Sequence, residues 1–129
     1  MVARKTRYEL LIADDDPGFR RTLCSVLEPH YQTVEVSSGE EAIQIVQRRP
    51  VDAVLLDMHM QLMTGLEALR ILRTVQQLLP CILITADADE QLRREAAKAE
   101  AFRVLKKPVG KNELLETVSI ALETSFGAA

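Results

Sequence analysis

Short apolar runs alternate five times with amphipathic stretches of helical period along the 129-residue chain. That rhythm predicts a βα repeat with a parallel sheet. Residues 10–13 read as the first strand, and Pro17 suits the first turn of a helix whose buried stripe is Phe19, Leu23, Val26 and Leu27. Residues 32–36 form the second strand. Ser38 and Glu41 then stand in capping-box spacing before a helix carrying Ala42, Ile45 and Val46, and Pro50 ends that unit. Residues 53–56 are the third strand, and Thr64 with Glu67 caps a third helix carrying Leu66, Leu69, Ile71 and Leu72. Residues 81–84 are the fourth strand. Asp87 and Glu90 repeat the capping spacing before a helix to about residue 99, which has only Leu92 and several alanines to bury. It is expected to be the least firmly held. Residues 102–105 are the fifth strand, and a last helix from Lys111 to about Glu123 buries Leu114, Leu115, Val118 and Leu122.

Strand composition also predicts the order within the sheet. A central parallel strand is covered on both faces and reads as an unbroken apolar run, as strands one, three and four do. Strands two and five alternate with polar residues, as edges would. With right-handed crossovers this gives an α/β, doubly wound, five-stranded parallel sheet of order 2-1-3-4-5, a flavodoxin-like (βα)5 fold. The length suits a single domain over 1–129 with its core at about 8–124, and Gly127-Ala128-Ala129 reads as a short linker tail.

Composition narrows the function classes. Hydrophobic residues at 47% and charged ones at 27% are ordinary for a globular chain, and the formal charge of -3 gives no basic field for nucleic acid. No apolar run approaches the roughly 20 residues of a membrane span, and the basic start at 1–7 lacks a secretory h-region. A cytoplasmic protein is expected. Cys24 and Cys81 fit no metal-ligand spacing and lie among apolar neighbours, as reduced structural thiols do.

In open α/β sheets, ligands bind beyond the carboxyl ends of the strands, where strand order reverses. Here strand one ends in Asp14, Asp15 and Asp16, strand three in Asp57, strand four in Thr85, and strand five in Lys106, Lys107 and Pro108. The reversal falls between strands one and three and gathers Asp14, Asp15 and Asp57. Two carboxylates about 4 Å apart repel by roughly 4 kcal/mol at an effective dielectric of 20, so three together call for protons or a cation. All-oxygen ligands from few carboxylates suit Mg²⁺ shared with phosphate oxygens. Lys107 would add a fixed positive charge and Thr85 a hydroxyl donor. A phosphoryl site follows, with Asp57, alone after the most apolar strand, as the nucleophile.

These residues resemble, over nearly the whole chain, the receiver domain of two-component response regulators. The resemblance identifies Asp14 and Asp15 with the family's acidic pair, Asp57 with its phosphoacceptor, Thr85 with its switch Thr/Ser, and Lys107-Pro108 with its Lys-Pro. Gly65 matches the Gly of the third-strand loop. It implies direct Mg²⁺ ligation by Asp15 and Asp57, Asp14 acting through water, His59 giving its backbone carbonyl, and a cis Lys107–Pro108 peptide. It further implies a sensor histidine kinase or phosphotransfer protein as phosphodonor, and slow self-cleavage rather than turnover of a free substrate. The fourth helix, fifth strand and fifth helix would then meet an effector or a second copy, without direct nucleic-acid or membrane binding. The sequence departs from the family pattern in four places. Gln61 stands where Pro is usual, Thr64 where Asp is common, Glu100 where Gly is common, and Val104 where an aromatic switch residue is expected.

Plainer readings stand beside the sharp one. Asp14 to Asp16 before Pro17 is by itself a good helix start, and Asp57, Thr85 and Lys107 are each unremarkable alone. Their joint placement at four strand ends is what carries the phosphoryl reading. His59, with no partner His or Cys, is expected to point outward, and His30 to sit in a turn. Arg93, Arg94, Lys98, Arg103 and Lys106 form a basic grouping, either a solvated face or a docking surface. Two rival functions remain. A haloacid dehalogenase-type phosphohydrolase would use Asp14 as nucleophile and Asp16 as acid/base, but Gly18 stands where it needs Thr or Val, and it lacks the late acidic pair. A phosphorylation-independent interaction module would keep the fold alone.

Overall fold

The computed structural model describes residues 7–126. The start up to Thr6 and the tail at 127–129, read above as lacking a signal and as a linker, lie outside the described residues. Five strands, β1 (Glu9–Ala13), β2 (Gln32–Val36), β3 (Ala53–Asp57), β4 (Cys81–Thr85) and β5 (Arg103–Lys106), alternate with five helices. These are α1 (Pro17–Leu27), α2 (Gly39–Arg48), α3 (Gly65–Val75), α4 (Glu90–Lys98) and α5 (Lys111–Phe126). All strand pairs are parallel, and their order is β2-β1-β3-β4-β5, as the apolar and alternating strands predict.

Alternation along each strand divides the interior into two layers. Leu11, Ala13, Val54, Leu56, Cys81 and Leu83 face α2, α3 and α4. Leu10, Ile12, Ala53, Leu55, Ile82, Ile84 and Leu105 face α1 and α5. The central strands β3 and β4 are buried throughout and β1 from Leu10 onward, whereas β2 and β5 each bury one residue, Val36 and Leu105. The fourth helix is indeed lightly anchored, with Leu92 and Ala96 buried against five buried residues in α3.

Helix starts follow local chemistry. Asp16 caps α1 by accepting from the N–H groups of Gly18 and Phe19, and Pro17 follows where no N–H is needed. Thr64 and Glu67 form the reciprocal box, at 3.1 Å and 2.9 Å. The α4 cap differs from expectation. Asp89, not Asp87, accepts from the Leu92 N–H at 2.7 Å, because the Asp87 N–H is taken by the Thr85 hydroxyl at 3.2 Å in a turn continuing β4. Other boundaries move by a few residues. The fifth strand starts at Arg103, and α5 runs on to Phe126, whose ring meets that of Tyr8 at a centroid distance of 5.3 Å. In α2, Ile43 is buried with Ala42 and Val46 and Ile45 is only half-buried, while Ile71 of α3 is 38% exposed, off the face shared by Leu66, Leu69 and Leu72.

Glu100 occupies the position where the sequence lacks the family's glycine, and it adopts φ of 63° itself, closing the α4–β5 turn. Its N–H bonds the Ala97 carbonyl at 3.0 Å, and its own carbonyl accepts from Arg73 at 2.8 Å, so the turn is held from both sides.

Both cysteines are fully buried, one in each layer, and burial pushes both thiols up to about 11. A thiol of that pKa is about one part in a thousand thiolate at pH 8. Iodoacetamide at pH 8 should therefore leave the folded chain unlabelled and modify both cysteines in urea. Labelling of the folded chain at the rate of a free thiol would contradict this packing.

Candidate functional site

Strand parity decides which side chains meet beyond the carboxyl edge of the sheet. Asp14 continues the series Leu10 and Ile12, Asp57 the series Ala53 and Leu55, and Lys107 follows Leu105, so all three fall on the α1/α5 side. Thr85 belongs to the other series, with Cys81 and Leu83. The register sets the depth, since Ala13 lies beside Leu56, and Asp57 beside Ile84. The Lys107 N–H bonds the Thr85 carbonyl at 2.7 Å, and the Lys107–Pro108 peptide is cis.

The Lys107 Nζ lies 2.8 Å from Asp57 Oδ1 and 3.6 Å from Asp14 Oδ2, in a pocket where Asp14 and Asp57 are 1% and 5% exposed. The ammonium also sits 4.2 Å above the Phe19 ring, a cation–π contact that keeps it over the carboxylates. Asp14 is fixed by its own surroundings. Its Oδ1 accepts the Asp16 N–H at 2.9 Å, and its carbonyl accepts from Arg20 at 2.6 Å, Arg20 being held in turn by Glu35 at 3.0 Å. Gly65 is required by close approach, because a Cβ there would stand 2.4 Å from the Asp57 carbonyl oxygen, and its N–H bonds the Met58 carbonyl at 2.9 Å.

Burial chiefly raises the Asp14 pKa above its usual range; Asp57 and Asp15 add to the rise, while the Asp16 N–H and Lys107 oppose it. A folded state that binds this proton more tightly than the unfolded chain loses stability as pH rises above the ordinary aspartate range. For Lys107, burial lowers the pKa, but the hydrogen bond and charge of Asp57, with Asp14, outweigh it and raise the pKa overall. Its contribution is therefore present below the usual lysine range and lost as pH climbs through the raised one.

One oxygen each from Asp14, Asp15 and Asp57 lie within 4.8 Å of one another, and Asp15 is exposed at the rim. Asp14 Oδ2 is buried without a hydrogen-bond partner, its closest cation being Lys107. An oxygen-only donor set with an orphaned buried carboxylate oxygen fits a hard divalent cation such as Mg²⁺.

Two expected participants stand outside this cluster. Thr85 is fully buried, and its hydroxyl accepts from the Asp87 N–H at 3.2 Å and donates to the Asp87 carbonyl at 3.5 Å, so the hydroxyl itself bonds neither Asp57 nor Lys107. The His59 side chain is exposed, as expected, and borders a cleft of about 210 Å³ with Met58, Asp87, Asp89, Gln91, Leu92 and Glu95. Its carbonyl takes no hydrogen bond among the described residues. Phe19 and Arg20 were missed as site residues, because an aromatic and a basic residue in a first helical turn read as core and surface. The signal available was their place just after the Asp14 to Asp16 run.

The family model described as the response regulator receiver domain matches residues 10–119. The chain belongs to that family. This receiver domain is 33% identical over 120 residues to the transcriptional regulatory protein GlrR of Escherichia coli, covering 92% of this chain and 27% of the relative, so the chain spans about a quarter of that protein. It is 31% identical over 111 residues to the sporulation initiation phosphotransferase F of Bacillus subtilis, covering 85% of this chain and 90% of that one. A CheY-like receiver domain from Methanospirillum hungatei superposes with a TM-score of 0.90 at 22% identity, over 95% of this chain and 99% of the other. The receiver domain of an HD domain-containing protein from Pseudomonas fluorescens gives 0.87 at 30% identity, over 93% and 98%. A receiver domain of two-component response regulators is a phosphoacceptor signalling module, and the acidic pocket fits that role.

Gly65→Ala should lower stability by about 1–3 kcal/mol through overpacking against the Asp57 backbone. Urea denaturation checks this, and an unchanged midpoint would show that the β3–α3 loop yields freely.

Proposed function

We propose that Asp57 accepts a phosphoryl group from a phosphohistidine on a sensor histidine kinase or phosphotransfer protein, with Mg²⁺ held by Asp14, Asp15, Asp57 and the His59 carbonyl. The observation that carries this reading is the contact of half-buried Lys107 with buried Asp57 at 2.8 Å beside the orphaned Asp14 oxygen. In the step, an Asp57 carboxylate oxygen forms a bond to phosphorus while the donor's imidazole N–P bond breaks, and the leaving imidazole takes a proton from solvent. Mg²⁺, when bound, offsets the negative charge that gathers on the carboxylates and phosphoryl oxygens. Asp14 and Asp57 are the anchored ligands, and Asp15, exposed at the rim, completes the set. Lys107, already on Asp57 and braced by Phe19, follows the new charge onto the phosphoryl oxygens. The domain catalyses its own transfer and slow hydrolysis without turning over a free substrate.

Readout requires movement, because Thr85 starts within its own loop. A dianionic acyl phosphate competes with the Asp87 carbonyl, 3.5 Å from the hydroxyl, for the hydroxyl's proton, and exchange of that bond loosens the turn leading into α4. With two buried residues, α4 is the element most easily displaced, and β5 moves with it. Val104, half-buried against the α2–α4 layer, offers no ring to flip, so the shift runs through the backbone and α4. The exposed Arg93, Arg94, Lys98, Arg103 and Lys106 lie on this α4–β5 face, which together with α5 meets an effector or second copy. Among the described residues no helix is long and apolar enough to cross a membrane, and the proposed location is the cytoplasm. The phosphohydrolase alternative would need Asp16 as acid/base, yet its carboxylate is engaged in capping α1.

Incubation with labelled acetyl phosphate and Mg²⁺ should place the label on Asp57, and Asp57→Asn should fold and remain unlabelled. Label mapped to Asp14, or surviving in Asp57→Asn, would overturn the assignment.

A further inference from the structure

The loop from β3 to α3 carries an unusual residue at its tip. Leu62 has φ of 69°, and the N–H of Met63 bonds the carbonyl of Gln61 at 2.7 Å, which makes Leu62 the centre of a γ-turn of the strained, positive-φ kind. A leucine gains nothing from that backbone conformation, in which its Cβ crowds the chain. Nor does it gain from burial, being 96% exposed. The residues on either side are anchored. Met60 is buried in the core at 9% exposure, and Met63 packs toward Gly39 and Ala68. The turn thus holds one large apolar side chain out in water from two fixed feet.

Its position limits what it can meet. Leu62 is three residues from Gly65, whose backbone touches that of Asp57, so its Cα lies within about 11 Å of Gly65. A protein that covers about 800 Å² of this surface while reaching Asp57 occupies a disc about 16 Å in radius, which includes the turn. Only a macromolecular donor has such a footprint. Resting on the phosphoacceptor reading above, we infer that Leu62 is a docking contact that inserts into an apolar pocket on the phosphohistidine-bearing donor and sets affinity for it, apart from the chemistry at Asp57.

The test compares the wild-type chain with Leu62→Asn, which tolerates positive φ but is polar, and Leu62→Met, which keeps an apolar side chain. Each receives phosphoryl groups from acetyl phosphate, which has no surface to dock, and from whichever autophosphorylated histidine kinase of a panel labels the wild-type chain fastest. All three chains should label equally from acetyl phosphate. With the kinase, Leu62→Asn should raise KM about tenfold at unchanged kcat, and Leu62→Met should stay within about twofold of wild type. Equal KM for Leu62→Asn and wild type would overturn the inference, as would an equal loss with acetyl phosphate, which would make Leu62 part of the loop's own structure. A wild-type dimer lost in Leu62→Asn while kinase labelling is unchanged would overturn it in favour of a second copy as occupant. Labelling of the wild type by acetyl phosphate but by no kinase would also overturn it. Labelling by neither source would instead remove the phosphoacceptor reading beneath it.

Discussion

Asp14 and Asp57 are buried beside one another at the end of the sheet, and their mutual repulsion is the constraint around which the rest is arranged. A single ammonium, Lys107, reaches both, but at 2.8 Å it serves Asp57 and at 3.6 Å only partly serves Asp14. The shortfall appears as the orphaned Asp14 oxygen and as a carboxyl whose pKa is raised chiefly by burial. A pocket optimised for stability alone would not leave a buried oxygen unsatisfied. One built to gain a cation and lose it again has reason to, because the deficit is what the cation relieves.

The parallel sheet converts this deficit into a defined geometry. Residues separated by tens of positions meet because β1, β3 and β5 each send the residue of the same parity past the sheet edge, and the register fixes how far each projects. Parity equally explains why Thr85, one strand over, points into the other layer and is held by Asp87. The sheet therefore separates the charged groups Asp14, Asp57 and Lys107 from the Thr85 hydroxyl. In the proposed function, coupling between them passes through the β4–α4 turn and a helix with little buried surface.

Much of this was legible in the sequence because it rests on periodicity. Unbroken apolar strands at 53–56 and 81–84 against alternating ones at 32–36 and 102–105 gave the strand order, and strand ends gave Asp14, Asp15, Asp57 and Lys107. What escaped were contacts that depend on side-chain reach. Phe19 lies in the helical stripe predicted as core, yet its ring also carries the Lys107 ammonium. The cap of α4 was misplaced because two aspartates, Asp87 and Asp89, compete for one helix start, and only the hydroxyl of Thr85 decides between them. Positive φ at Leu62 had no signal, since leucine does not favour it, whereas at Glu100 the glycine common in the family at that position was the one hint.

If the unmet charge of Asp14 is the organising feature, then divalent cations must stabilise the fold by binding the native pocket and not the unfolded chain. The direct measurement is the thermal unfolding midpoint as a function of Mg²⁺ concentration, with NaCl matching ionic strength. The midpoint should rise progressively with Mg²⁺ in the wild-type chain and lose most of that rise in Asp14→Asn. A midpoint indifferent to Mg²⁺ at millimolar concentrations, or one that rises equally in Asp14→Asn, would contradict the account.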